Sequence, residues 1–166
     1  MLREMRVFGL TLDPATGVPI VILKDLQDQE ALPIWIGLCE ASAIATEMEK
    51  VKLSRPMTHD LIKNIIRLFQ AKLLKIEIHD LKDNTFFATI FLQRDDQVLP
   101  LDARPSDAIA LALRLEAPIF VEERVIEKIL VLDHKINLLE KDRLTEEKAR
   151  KFLESMSTEQ FGKYKM

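Results

Sequence analysis

The chain is short of cysteine, glycine and aromatic residues, and each shortage excludes something. Cys39 is the single cysteine, so no disulfide can form within the chain, and a reducing, cytoplasmic setting is expected. There are four glycines in 166 residues and none in a G-x-G pattern, which excludes a glycine-rich phosphate loop. His59, His79 and His134 show neither His-x-x-His nor His-Glu-x-x-His spacing, so the common zinc arrangements are absent. Aromatic residues make up 6%, and few stand beside basic ones in the sequence, which argues against a base-stacking platform. Positive charge is not in excess either: 24 Lys and Arg face 27 Asp and Glu, a net charge of -3. No global field would draw in nucleic acid, and any such contact needs a local patch. No apolar run is long enough to span a bilayer, and the opening "MLREMRVFGL" has no long apolar core of a leader, so no membrane association is expected.

What remains is 48% hydrophobic and 31% charged, with the charges well mixed, which suits an ordered domain with its own core. "MRVFGLTL" and "PIVILKD" flank the turn-forming "DPATGVP" and predict a hairpin. "ALPIWIG" predicts a third strand, with Pro33 arguing for an edge position or the strand start. "CEASAIATEMEKV" has helical spacing, with Cys39 expected as a small buried residue. A second helix is expected from Thr58, its cap, with Leu61, Ile62, Ile65, Ile66 and Phe69 as its apolar stripe. "KLLKIEIHDL", "TFFATIFLQR" and "QVLPLDA" read as strands, and Trp35 as a core residue of the third strand. A helix capped by Ser106 follows, then the strand "APIFVEE". Strands in adjacent hairpins without regular strand–helix alternation predict an α+β fold. The expectation is a single compact domain over 1–128, with a mixed, largely antiparallel sheet packed by helices. A charged C-terminal extension of peripheral helices follows over 129–166, with Thr145 as a helix cap.

Two segments resemble each other. "SRPMTHDL" (54–61) and "DARPSDAI" (102–109) both place Arg-Pro before a hydroxyl and an aspartate. One reading is structural: a stiff proline, a cap, and an acid in the first turn of a helix, where Asp60 and Asp107 complement the dipole and pair with Arg55 and Arg104. The other is chemical. Each arginine is held extended by its proline beside a helix start and suits phosphate. Asp60 and Asp107 suit a divalent cation through oxygen ligands, and His59 is the side chain for proton transfer near neutral pH. Glu40, in the first turn after a strand–Gly37 junction, is open to the same two readings.

"LPIWIG" with Glu40 and Ala41, "RPMTHDL", "DARPSDAIALAL" and "APIFV" occur in this order, and together they resemble the bifunctional nuclease domain family over about residues 5–128. The resemblance implies a compact α+β domain that dimerises and a nuclease acting on DNA and RNA. It places the polar motif positions on Glu40, Arg55, Thr58, His59, Asp60, Asp102, Arg104, Ser106 and Asp107. In the enzymatic reading Glu40, His59, Asp60, Asp102 and Asp107 form the catalytic set. Arg55, Thr58, Arg104 and Ser106 bind phosphate, and Mg²⁺ or Mn²⁺ assists with ligands not yet identified. The alternative is a non-catalytic anion- or nucleotide-binding or dimeric interaction module built on the same corners.

Overall fold

The computed structural model describes residues 1–129; the extension expected from residue 129 onward, with its cap at Thr145, lies almost wholly outside them. Strands β1 (Leu2–Leu12) and β2 (Pro19–Asp25) form the expected hairpin. Its turn is fixed by Asp13, whose carboxylate accepts the Ala15 and Thr16 amides at 2.9 and 3.1 Å, and by Gly17 at φ 68°, a left-handed conformation that glycine adopts without strain. β3 (Ala31–Trp35) pairs antiparallel with β2 and is an edge strand, with Pro33 inside it rather than at its start, so the first of the two positions open to this proline is the one observed. Helices α1 (Leu38–Met48) and α2 (Thr58–Leu68) follow, then the antiparallel run β4 (Lys72–Lys82), β5 (Thr85–Arg94) and β6 (Gln97–Ala103). α3 (Pro105–Leu115) leads into β7 (Ile119–Glu122), and a fourth helical segment, α4, is described over 123–129.

The strands make one seven-stranded sheet in the order β3-β2-β1-β7-β4-β5-β6. Two antiparallel sets, β1–β3 and β4–β6, are joined by the four-residue β7, antiparallel to β1 and parallel to β4. The expected α+β class and mixed, largely antiparallel sheet are therefore observed. α3 packs on β4 and β5 and touches both α1 and α2, so it is the central helix of the layer. Its Ala108, Ala110 and Ala112 are buried, and these short side chains let it lie close to the sheet and its neighbours. Val21, Leu23, Ile34, Ile76, Ile78 and Ile109 fill the space between the layers.

Several local expectations differ from the structure. Cys39 is exposed, because it falls on the outward side of the first turn of α1. Trp35 is half-buried rather than core: its indole N–H donates to Asp13 Oδ2 at 2.9 Å and needs a polar neighbour. In α2, Ile66 is buried, but Leu61, Ile65 and Phe69 are exposed, since α3 and β4 cover only one side of this helix. Aromatic–basic pairs, scarce along the sequence, are created between strands: Lys24 lies 3.8 Å from the Phe8 ring centre and Lys75 4.9 Å from that of Phe91. None of the described helices is long and apolar enough to cross a membrane.

Candidate functional site

Both Arg-Pro segments start helices, but not with the expected caps. Arg104 is the N-cap of α3 at φ -68°, ψ 143°, and Pro105 takes the first helical position, where its missing N–H costs nothing. Ser106 is consequently inside the first turn, and buried. In α2 the N-cap is Met57, extended at φ -84°, ψ 178°, and Thr58 is the exposed first helical residue. Asp60 reaches back to accept the Met57 amide at 3.0 Å, supplying the cap that Met57 cannot.

The two corners meet within one chain. His59 Nε2 lies 2.9 Å from Asp107 Oδ1, joining the start of α2 to the start of α3. Asp107 Oδ2 accepts from Arg104 Nε at 2.7 Å, and a second guanidinium nitrogen of Arg104 reaches Glu40 Oε1 at 2.9 Å. Glu40–Arg104–Asp107–His59 is thus a continuous polar chain across the first turns of three helices. Glu40 folds back over Gly37, the α1 cap: a Cβ at residue 37 would meet its carboxylate and push it aside, so glycine leaves Glu40 room to lie there.

Burial pushes the Asp107 carboxyl up, but hydrogen bonds and charge from His59 and Arg104 outweigh it and hold it below the ordinary carboxylate range. An ionised Asp107 can only accept, so His59 Nε2 carries the hydrogen and donates it. In neutral His59 this leaves Nδ1 bare, and the ring, only 8% exposed, is fixed in orientation. A histidine held this way is arranged to take a proton from a bound hydroxyl or water.

Asp60 does not join this chain. Its Oδ1 accepts from Arg114 Nε at 2.8 Å, and that bond, more than any other influence, lowers its pKa. Arg114 also donates to the Ala43 and Ala110 carbonyls at 2.9 and 3.1 Å, so one guanidinium ties α1, α2 and α3 together. Its side chain is 2% exposed. Arg114 was not singled out by sequence reasoning. The available signal was a lone arginine in the otherwise apolar "AIALALRL". Arg55 and Asp102 also stand apart from the chain: Arg55 is exposed in the 49–57 connection beside a cavity, and Asp102 is exposed on edge strand β6 opposite Thr89.

Divalent cations such as Mg²⁺ need several oxygen ligands in one place. Glu40 and Asp107 are both engaged by Arg104, Asp60 is held by Arg114, and among the described residues no three of His, Cys, Asp and Glu gather as metal ligands. This donor set does not fit a resident cation.

The lowered carboxyls carry a prediction. In the unfolded chain Asp60 and Asp107 protonate near pH 3.8–3.9, but in the folded protein only at lower pH. As pH falls below about 5 the unfolded state binds more protons, so the stability these groups contribute is lost progressively, while above that pH it is fully present. Calorimetric melting should be level toward neutrality and fall below about pH 4. Asp60→Asn should flatten part of that fall; an unchanged pH slope would rule out this coupling.

A mixed sheet under three helices, with a His–Asp–Arg–Glu chain at the helix starts, defines an α+β domain whose helix-start polar groups are joined in one place. The chain belongs to the bifunctional nuclease domain family, whose model matches residues 21–133. It is 37% identical over 164 residues to an uncharacterized protein of Mycobacterium tuberculosis (strain ATCC 25618 / H37Rv), covering 95% of this chain and 97% of that one. Bifunctional nuclease 1 of Arabidopsis thaliana is 26% identical over 110 residues, 63% of this chain and 34% of the plant protein. Bifunctional nuclease 1 of Oryza sativa subsp. japonica is 22% identical over 116 residues, 68% of this chain and 35% of its own length. The chain therefore spans about a third of these two plant relatives.

Proposed function

We propose that the protein hydrolyses phosphodiester bonds of DNA and RNA, with His59 as the general base, oriented by Asp107. The observation that carries this reading is the 2.9 Å His59–Asp107 contact, in a chain whose plant relatives are named bifunctional nucleases. Water bound at Nδ1 gives its proton to His59 as its oxygen forms the new P–O bond; the ester P–O bond to the departing nucleoside breaks, that oxygen takes a proton from solvent, and Asp107 stabilises the imidazolium until it returns its proton to solvent. Arg104 fixes Asp107 and Glu40 in place. With His59 neutral the formal charge of Glu40, Asp107 and Arg104 is -2 + 1 = -1, so this chain of residues is suited to removing a proton rather than to gripping phosphate. The buried Ser106, the exposed Thr58 and the outlying Asp102 are assigned no step.

The test is cleavage of labelled single- and double-stranded DNA and RNA by wild type and His59→Asn, purified identically, with Mg²⁺, with Mn²⁺ and with chelator. Wild-type cleavage lost in His59→Asn supports hydrolysis at this site. Equal cleavage by both proteins assigns the activity elsewhere. Cleavage that survives the chelator supports the metal-free role of His59, whereas loss with chelator makes Mg²⁺ or Mn²⁺ part of the reaction.

A homodimer is proposed through β6. This edge strand has Val98, Leu99 and Leu101 at 50, 50 and 54% exposure and no charged residue from Gln97 to Leu101; Pro100 lacks an N–H and interrupts a continuous ladder, so a second copy would be met through these apolar side chains. Sedimentation should give a dimer for wild type and a monomer for Leu101→Lys. A dimer in both proteins would remove β6 from the contact.

A further inference from the structure

The proton-accepting chain carries net negative charge, which raises the question of where an anionic ligand would be held. A cavity of ≈ 320 Å³ lies between the end of α1, the 49–57 connection and α2; the Asp60–Arg114 pair lines it and His59 does not. The volume is at the low end for small-molecule sites. Its charged lining consists of Glu47, Arg55, Asp60, Lys63 and Arg114.

The charges do not cancel in place. Asp60 is neutralised by Arg114 at 2.8 Å, and Glu47 by Lys50 at 2.6 Å. Arg55 and Lys63 are left: neither makes an ion pair with a described residue, and Lys63 acts on Asp60 only through its field, so with Asp60 already held by Arg114 the cavity keeps a net positive charge. The last-turn carbonyls of α1, which would repel an anion, are already taken: Ala45, Thr46 and Glu47 accept the Glu49, Val51 and Lys50 amides. Lys63 and Asn64 stand three and four residues after Asp60, so all three share one face of α2, and Asn64 adds amide donors beside the lysine. Arg55 brings a planar fork suited to two phosphate oxygens, and Pro56 restrains its backbone.

We propose that this cavity is a binding site for the phosphate group of a nucleotide, recognised by Arg55 and Lys63 with Asn64 as a neutral donor. The ligand class is a phosphate monoester or diester, carried by a free mononucleotide or by a nucleic-acid strand. The inference goes beyond the hydrolytic reading and does not depend on it, because binding is measured without turnover.

The experiment is titration of the full chain at low salt with inorganic phosphate, with adenosine monophosphate, and with a short oligodeoxynucleotide with and without a 5′-phosphate. Binding is read by calorimetry and by amide chemical shifts in residues 46–64. Wild type, Arg55→Gln, Lys63→Gln, the distant surface control Lys72→Gln, and His59→Asn are compared. Removing either cation's charge-assisted bond should weaken phosphate and mononucleotide binding by about tenfold or more, with the Lys72 control unchanged. Arg55 is exposed and Lys63 half-buried, so neither substitution opens the core. His59→Asn should bind as wild type does, which separates this site from the hydrolytic one. Binding of the mononucleotide but of neither strand assigns a free nucleotide; binding of a strand as well assigns nucleic acid. No saturable binding by wild type, or affinities untouched by both pocket substitutions, would overturn the proposal.

Discussion

Asp107→Asn is expected to reduce nucleic-acid cleavage by about 10²–10⁴-fold, the usual contribution of a positioned general base. The loss comes through His59, which Asp107 touches, since Asp107 is given no contact with substrate. An asparagine can offer either an oxygen or an N–H to Nε2, so it no longer enforces the tautomer with Nδ1 bare, and it cannot balance an imidazolium. The kinetic signature distinguishes this from general damage: kcat should fall while KM stays close to wild type, because Asp107 acts through His59 and is given no contact with substrate. The fold should survive, since the Arg104–Asp107 pair is partly exposed, at 40 and 27%, and its loss should cost roughly 1 kcal/mol or less. A variant that melts like wild type and cleaves like wild type would remove Asp107 from the mechanism.

Arg114→Ala should have the largest effect on stability, a loss of roughly 3 kcal/mol, the lower end for breaking a buried ion pair, because Asp60 retains 23% exposure. In a chain of this size that corresponds to a melting temperature lower by roughly 6–12 °C. The guanidinium satisfies Asp60 and two backbone carbonyls on three helices at once, and its removal leaves Asp60 without its partner and a space among α1, α2 and α3. Arg114→Lys should recover little, as a single ammonium on a flexible stem cannot reproduce the planar fork. Arg104→Ala should cost far less, about 1 kcal/mol, since Arg104 is 40% exposed. Thermal melting of the three variants side by side checks the ranking, and an Arg104→Ala protein less stable than Arg114→Ala would reverse it. The structural reading of the Arg-Pro corners is thereby partly retained, with a different arginine as the buried tie.

The cavity beside Arg55 and the chain through His59 divide one set of motif residues into two places. Neighbouring residues of α2 face apart: His59 turns to Asp107, and Asp60 turns to Arg114 and the cavity. Successive helical residues point about 100° apart, so "THD" supplies both places from one turn. Arg55 and Arg104 look equivalent in the sequence because each precedes a proline. Only Arg104 is a helix cap; Arg55 lies two residues before the Met57 cap, which places it in the connection instead.

The strands, the three main helices and the edge position of β3 were legible because period-2 and period-3.6 patterns, turn residues and prolines act over a few residues. The resemblance named the family, and the residues of the polar chain were all visible as helix-start polar groups. Their assembly was not visible. β7 joins β1 to β4, and α3 then brings Arg104 and Asp107 against Glu40 and His59, contacts that bridge 48 residues in the His59–Asp107 case. Local propensity says nothing about a partner that far away, and β7 itself is only four residues long. The same limit hid Arg114, whose role depends on acceptors on two other helices, and left the outer stripe of α2 looking like core. The sequence by itself determined which elements form and which polar groups stand at their starts; the packing of α3 between α1 and α2 on one seven-stranded sheet decided which of those groups touch, because burial and long-range pairing are properties of the assembled layers.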